Sequence, residues 1–175
     1  MLKWMKRQTA GFTLIELLIV ISIIGILSAT GLATYVNFSR NQLVSQAARK
    51  IAQDLRLAQS LASNNQKPPN SPNCQATPLT GYTFYLNATN YIIKANCGSD
   101  YQVKADFVSS NLTVTGPDWI KFKVLRQGIV SQPSPPPTDP HIKITVSGFD
   151  KTKIIDIDPG GAINIQEETG SASPF

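Results

Sequence analysis

One stretch of sequence constrains this chain more than any other: residues 12–32 are apolar apart from a few small polar side chains and one charged residue, Glu16. As an α-helix this stretch would measure about 30 Å, which is the thickness of the hydrocarbon core of a bilayer. Three basic residues and no acidic residue precede it, namely Lys3, Lys6 and Arg7. The positive-inside bias therefore predicts a single membrane pass with a cytoplasmic N-terminus.

The charge of the rest of the chain does not indicate a polyanionic partner. The formal net charge of the whole chain is +5, but the residues after Gly11 include 13 basic and 11 acidic residues, a difference of only +2. Nucleic-acid binding normally uses a clustered basic face, and no such cluster is visible in the sequence. We therefore expect no binding to DNA.

Glu16 needs an explanation because a carboxylate inside a membrane-spanning helix costs about 3 kcal/mol to insert. If the chain began at Phe12, its new α-amino group would lie about one helical turn from Glu16. Between two parallel, offset helices the same two groups could neutralise each other in hydrocarbon, which predicts self-assembly. The alternative is that Glu16 lies near the membrane interface and its carboxylate reaches water.

Residues 11–20 read GFTLIELLIV, and this segment resembles the class III signal of type IV pilins and pseudopilins. The resemblance implies that a prepilin peptidase cuts after Gly11 and methylates the new N-terminal Phe12. It also implies that Glu16 pairs with the amino terminus of a neighbouring subunit during assembly. The alternative is conventional signal cleavage near Ala33, although no A-x-A-like site ends the apolar stretch.

The same resemblance implies a location and a set of partners. The chain would be a single-pass protein of the bacterial inner membrane, with its globular domain in the periplasm or outside the cell, and would become part of a filament after assembly. Its partners would be other pilin or pseudopilin subunits, the prepilin peptidase, the inner membrane and an assembly platform. No small-molecule substrate and no cofactor are expected.

A second helix follows the apolar stretch without a break. Residues 39–64 contain no proline or glycine, and a polar face is expected to meet solvent or neighbouring subunits, with Arg56 and Gln59 among its members. The two helices together would form one helix of about 53 residues, or roughly 80 Å, which is too long to be buried in a small domain and should protrude. Apolar residues recur at helical spacing in its second half, at Leu43, Ala47, Ile51, Leu55, Ala58 and Ala62.

Short β-type runs separated by turn residues make up the second part of the chain. They predict an α+β fold in which a long protruding N-terminal helix, apolar in its first half and amphipathic in its second, packs on an antiparallel sheet, as in the pilin fold. The segments QAARKIAQDLRLAQSLASNN and IIDIDPGGAINI are similar to those of GspH/FimT-type pseudopilins. The eight runs lie at residues 81–86, 91–94, 101–107, 112–115, 119–124, 142–146, 153–157 and 162–165.

These patterns divide the chain into four segments. Residues 1–11 are a leader peptide, residues 12–34 a transmembrane or filament-core helix, and residues 35–64 an amphipathic helix. Residues 65–175 are a β-rich globular region, which begins with a proline-rich stretch that ends the helix and which forms one soluble domain with residues 35–64.

Cys74 and Cys97 enclose a predicted β-hairpin, and a disulfide between them would add roughly 3 kcal/mol of stability. Two buried free thiols are the alternative. No metal site is expected, because the single histidine, His141, has no ligand-type spacing around it. Asp156 and Asp158 precede a Pro-Gly turn, and we expect them to face solvent rather than bind calcium.

No sequence motif of a hydrolase, a metalloprotease or a nucleotide-binding enzyme is present, so no catalytic residue is predicted. The proline-rich segment 132–140 is interpreted as a rigid surface loop. The sequence therefore predicts a structural filament subunit, either a type II secretion pseudopilin or a minor pilin. The alternatives are a DNA-binding or adhesive tip or uptake subunit, and an anchored protein that never assembles.

Overall fold

The structure is a computed structural model that describes residues 11–132 and 141–167, with the side chains of residues 29–33 left out of the description. The leader peptide, except Gly11, and the segment 133–140 lie outside the described residues. The chain divides into two compact units, Met1–Ser39 and Arg40–Phe175. A single helix contributes residues to both of them.

This first helix, α1, is Leu14–Ser63, a run of 50 residues with no proline. It continues through Ala33 without a break. Its C-terminus is a Schellman motif, in which Asn65 adopts a left-handed φ of 49°. The amide of Gln66 donates to Leu61 O and that of Asn65 donates to Ala62 O, at 2.9 and 3.0 Å, so the last carbonyl groups of the helix are bonded before the proline-rich stretch.

The buried stripe of α1 differs from the predicted one in its first two turns. Leu43 is 46% exposed and Ala47 is only partly buried, whereas their neighbours Val44 and Ala48 are fully buried. From Leu43 to Leu55 the predicted stripe advances only in steps of four residues, and each such step turns about 40° around the helix. The observed stripe alternates steps of four and three residues, which keeps it on one side: Val44, Ala48, Ile51, Leu55, Ala58 and Ala62.

Two antiparallel sheets complete the fold, so the predicted α+β class is confirmed. The first sheet has the strand order β3-β2-β1-β5-β6 and the second has the order β4-β7-β8-β9. The first sheet contains β1 (Gly81–Leu86), β2 (Asn90–Cys97), β3 (Ser99–Phe107), β5 (Trp119–Lys123) and β6 (Ile129–Ser131). The second contains β4 (Thr113–Thr115), β7 (Ile142–Gly148), β8 (Lys151–Ile157) and β9 (Ile163–Glu167).

All eight predicted strands are present, with ends shifted by at most three residues, and three further short elements were not predicted, one of them a 3-10 turn at Val124–Arg126. The short edge strand β6 is three residues long, which is too short to give a periodic signal. The short helix α2 (Pro72–Ala76) lies inside the proline-rich stretch and begins with Ser71, whose hydroxyl accepts the amide of Cys74 at 3.3 Å. A proline at the first helical position is compatible with such a turn.

The core of the second unit lies between the buried stripe of α1 and the inner faces of both sheets. The alternating burial of β2 shows the period-2 pattern of a strand with one covered face. Aromatic side chains fill the centre, with the rings of Phe84 and Tyr91 stacked at a centroid distance of 5.1 Å. Every buried hydrophobic residue in the described chain lies between Val44 and Ile163.

Candidate assembly site

The start of α1 is fixed by a capping interaction between the predicted site residues. The amide of Glu16 donates to Thr13 Oγ1 at 3.3 Å, and the helix begins at Leu14. Thr13 and Glu16 therefore occupy the N-cap and N3 positions of a Thr-x-x-Glu capping box. The negative charge of Glu16 also lies in the first turn, where the helix dipole favours it. The Thr-x-x-Glu spacing is the sequence signal from which this helix start could have been predicted.

The first four turns of α1 expose apolar side chains on every side. Leu14 is 81% exposed, and each large apolar residue from there to Leu27 is at least 46% exposed. A helix that is apolar all round is normally buried, either in a large core or in a membrane. Phe12, which precedes the helix, is 85% exposed. In the described part of the chain, no helix is both long enough and apolar enough to count as a membrane span.

Comparison with known proteins places this N-terminal segment in a family. The model of the family described as "Prokaryotic N-terminal methylation motif" matches residues 6–32. A protein of Dichelobacter nodosus named "Fimbrial protein" is 27% identical over 121 residues, which cover 69% of this chain and 68% of that protein. The chain is therefore similar to type IV pilins, and the match to the family model is confined to its N-terminal segment. No solved structure gives a significant match to the pilin-like chain.

The three predicted assembly residues of this pilin-like chain lie next to one another at its described N-terminal end. Gly11 and Phe12 are exposed and precede the helix, and Glu16 is exposed in its first turn. A Cβ at position 11 would have no other atom of the described residues within 4 Å. Packing against those residues therefore does not explain why position 11 is a glycine. The roles of Gly11, Phe12 and Glu16 in processing and assembly remain predictions.

In the globular unit of the pilin-like chain, Cys74 and Cys97 form a disulfide, as expected, with their Cα atoms 4.9 Å apart. The bond joins α2 to the end of β2 and so holds the proline-rich stretch against the first sheet. Thr77 supports the same junction, because its hydroxyl lies 2.5 Å from Cys97 O and 2.7 Å from Asn73 O. Both cysteines are buried.

A buried polar cluster, which we call the Asp54 cluster, connects α1 to the first sheet. Asp54 is 5% exposed and accepts hydrogen bonds from Tyr91 Oη at 2.7 Å and Lys104 Nζ at 2.6 Å. Burial, and then the bond to Asp54, raise the pKa of Tyr91 above its usual range, so its hydroxyl remains a donor at neutral pH. This cluster was not predicted from the sequence, and the one available signal was the position of Asp54 between the buried residues Ile51 and Leu55.

A second ion pair borders the Asp54 cluster. Lys50 Nζ lies 2.8 Å from Asp106 Oδ2, and the bond from Lys50 lowers the pKa of Asp106 below its usual range. Since the pKa of Asp106 is lowered in the folded state, the bond stabilises the protein above the ordinary aspartate pKa. That contribution is lost as the pH falls through the lowered value. It is small, because the pair is partly exposed.

The structure corrects the expectation that Asp156 faces solvent. Asp156 is 8% exposed, and His141 Nδ1 lies 3.0 and 3.1 Å from its two carboxylate oxygens. The residue is covered because β8 lies inside its sheet, between β7 and β9, and His141 immediately precedes β7. Asp158 is partly exposed and accepts the amide of Ala162 at 2.8 Å within the β8–β9 turn. Among the described residues, no group of three or more metal-ligating side chains is present.

Basic residues that are far apart in sequence meet at one cavity, which the sequence did not indicate. The cavity has a volume of about 490 Å³, and its lining includes Arg56 of α1, Lys123 of β5 and Arg126 of the β5–β6 turn. Its other wall is the β8–β9 turn, where Gln59 Nε2 donates to Gly161 O at 2.7 Å. We call this cavity the basic groove. Arg56 and Gln59, expected on a solvent or subunit-facing surface, thus also bind the second sheet.

Proposed function

We propose that this chain is a subunit of a type IV pilus-like filament that waits in the bacterial inner membrane before assembly. Cleavage after Gly11 by a prepilin peptidase and methylation of Phe12 would produce the mature subunit. The D. nodosus relative is named a fimbrial protein, which supports a filament role for this chain as well. The family is structural, and its members assemble with other pilin subunits.

The observation that carries this proposal is the geometry of the N-terminal end. The helix begins two residues after Phe12, so cleavage after Gly11 would leave the new amino group directly before the first helical turn. That turn contains Glu16, and the apolar side chains that follow it are exposed on all sides. A surface of this kind is stable only when lipid or other apolar helices cover it.

Membrane insertion is proposed from composition. Residues 12–32 contain one charged residue, and the three basic residues of the leader favour a cytoplasmic N-terminus. The globular unit would then lie in the periplasm or outside the cell, where the disulfide between Cys74 and Cys97 can form and persist.

The first experiment compares the N-terminus of the protein in cells with and without the prepilin peptidase of the host. We expect intact mass and N-terminal sequencing to find a chain that starts at methylated Phe12 only when the peptidase is present. A Gly11→Ala variant should retain the leader in both strains. A chain that keeps residues 1–11 in both strains, or starts near Ala33, would contradict the proposal and favour an anchored or secreted protein.

Two structural roles remain to be distinguished, a type II secretion pseudopilin and a minor pilin of a surface pilus. Deletion of the gene should abolish export of secreted enzymes in the first case and reduce surface filaments in the second. We propose no third role for the N-terminal helix. A DNA-binding or adhesive role would instead require a ligand site on the globular unit.

A further inference from the structure

The basic groove has the features of a binding site for a negatively charged ligand. It takes its three cationic side chains from three different elements: Arg56 from α1, Lys123 from β5 and Arg126 from the β5–β6 turn. No carboxylate is among its lining residues. Within residues 11–132 and 141–167, none of the three cations forms an ion pair with an acidic side chain. Three converging cations without counter-ions repel one another and attract an anion.

The groove is held in shape before any ligand arrives. Arg56 Nη2 donates to Ile163 O at 2.7 Å, which fixes the guanidinium and leaves its other N–H groups without a partner among the described residues. On the opposite wall, a Cβ at Gly161 would lie 2.5 Å from Gln59 Nε2, so a larger residue there would displace the end of the Gln59 side chain. Gly161 also has a φ of +89°, which glycine adopts without strain. Such preorganisation lowers the entropy lost on binding.

The turn beside the groove stores backbone strain. Leu125 and Arg126 are consecutive non-glycine residues with left-handed φ values of 54° and 58°. The turn is closed by the amide of Lys123, which donates to Gly128 O at 3.0 Å. Strained residues of this kind cluster at ligand-binding sites. Here the strained turn carries both the cation Arg126 and the side chain of Leu125, which is 62% exposed.

The remaining lining residues favour a peptide over a nucleic acid. Single-stranded nucleic acids bind where exposed aromatic rings stack on the bases, but the aromatic residue of this groove, Phe122, is 2% exposed. Ser60 and Ser63 of α1, and Asn64 just after it, provide hydroxyl and amide groups that suit a peptide backbone. The guanidinium groups of Arg56 and Arg126 match the planar geometry of carboxylates.

We propose that the basic groove binds an acidic peptide segment of a neighbouring filament subunit. The two guanidinium groups and Lys123 would contact its carboxylates. The identity of the partner rests on the proposed filament function, because a filament holds neighbouring subunits at high local concentration. The groove lies entirely within the unit Arg40–Phe175, so it would define a contact separate from that of the N-terminal helix.

The test measures binding of a fluorescently labelled hexaglutamate peptide to the full chain in detergent micelles. We expect saturable binding that weakens as the salt concentration rises. The variant Lys123→Gln/Arg126→Gln should weaken binding at least tenfold, because it removes two of the three cations. The control is Lys151→Gln, in a strand of the other sheet. It removes one positive charge, as does each of the two substitutions in the double variant, and it should alter binding less than twofold.

Three results would overturn the proposal: no saturable binding, an equal loss in Lys151→Gln, or tighter binding of a six-nucleotide deoxythymidine oligomer than of hexaglutamate. The last result would make the groove a nucleic-acid site. A thermal melt of each variant separates loss of the site from loss of the fold, since Lys123 and Arg126 are exposed. Failure here leaves the filament function intact, because that function is tested separately by processing after Gly11.

Discussion

Glu16 combines two functions that separate substitutions can distinguish. Its amide completes the N-cap with Thr13, and its carboxylate is the proposed partner of an amino terminus on another subunit. A capping box accepts glutamine as well as glutamate at the third position of the helix. The helix start therefore tolerates loss of the charge, whereas pairing with a cationic amine does not.

We therefore expect Glu16→Gln to leave the protein in the membrane at the normal level but to reduce its incorporation into filaments at least tenfold. The reason is that a glutamine side chain is compatible with the helix cap but has no negative charge to pair with an amino terminus. Immunoblotting of sheared or cross-linked filaments against the membrane fraction measures the change. Thr13→Val is the matched control, because it removes the cap hydroxyl and keeps the charge. Normal incorporation of Glu16→Gln would show that the charge of Glu16 is not needed for assembly.

The Asp54 cluster gives a stability prediction at a single residue. Asp54→Asn keeps the size of the side chain but leaves Lys104 without its counter-charge and weakens the acceptor for Tyr91. We expect a loss of about 2 kcal/mol in the free energy of unfolding. Asp118→Asn is the control, because Asp118 is exposed, and it should change this free energy by less than about 0.5 kcal/mol. Equal values from urea denaturation would exclude a stabilising role for the cluster.

At the scale of elements, the disulfide attaches α2 to the first sheet. Replacing Cys74 and Cys97 together by serine should lower the free energy of unfolding by about 3 kcal/mol, because the unfolded chain gains the freedom of a loop with a sequence separation of 23 residues. Urea denaturation without reductant measures the change. The wild-type protein in dithiothreitol should match the variant, and a much smaller loss in both would show that α2 is held by its other contacts.

The contact between β1 and β5 depends on a glycine. Gly81 faces Lys123 across the two strands, and a Cβ at position 81 would lie 2.4 Å from Phe122 O, a backbone atom that cannot move without shifting the strand. We expect Gly81→Ala to cost about 2 kcal/mol of stability. Gly160→Ala is the control, since its nearest atom is a side-chain oxygen of Asp158 at 3.2 Å. Thermal melts of the two variants compare the costs, and equal melting temperatures would contradict the expectation.

The core and most of the exposed large apolar side chains of the described residues belong to different parts of the molecule. The buried hydrophobic residues lie between Val44 and Ile163, in the unit Arg40–Phe175. The other unit, Met1–Ser39, exposes nearly continuous apolar side chains in its described part. Stability and solubility are therefore set by different segments.

We expect a fragment of residues 40–175 to be monomeric and soluble without detergent, whereas the full chain should aggregate unless detergent or lipid is present. The physical reason is that the fragment keeps the core and the disulfide but lacks the exposed apolar helix. Size-exclusion chromatography with light scattering measures both. A fragment that aggregates as strongly as the full chain would show that the globular unit also has an uncovered apolar surface.

The features that depend on the local order of residues could be predicted from the sequence. Hydropathy and charge over residues 1–32 predicted a membrane pass, and the segment GFTLIELLIV suggested the family by resemblance. The continuous run without proline predicted one long helix, and alternating residues located eight of the nine strands. The pairing of Cys74 with Cys97 could also be predicted from the sequence, because the two residues enclose one predicted hairpin. These signals are local, since helix and strand periods are properties of neighbouring residues.

Contacts between residues that are distant in sequence could not be predicted, because they depend on how the helix and the sheets pack. The burial of Asp54 beside Tyr91 and Lys104, the cover of Asp156 by His141, and the convergence of Arg56, Lys123 and Arg126 on one groove all join separate elements. The exact buried stripe of α1 was decided in the same way, because two adjacent stripes were both apolar and the sheets selected one. A sequence pattern shows which face of an element is apolar, but contacts between elements depend on how those elements pack.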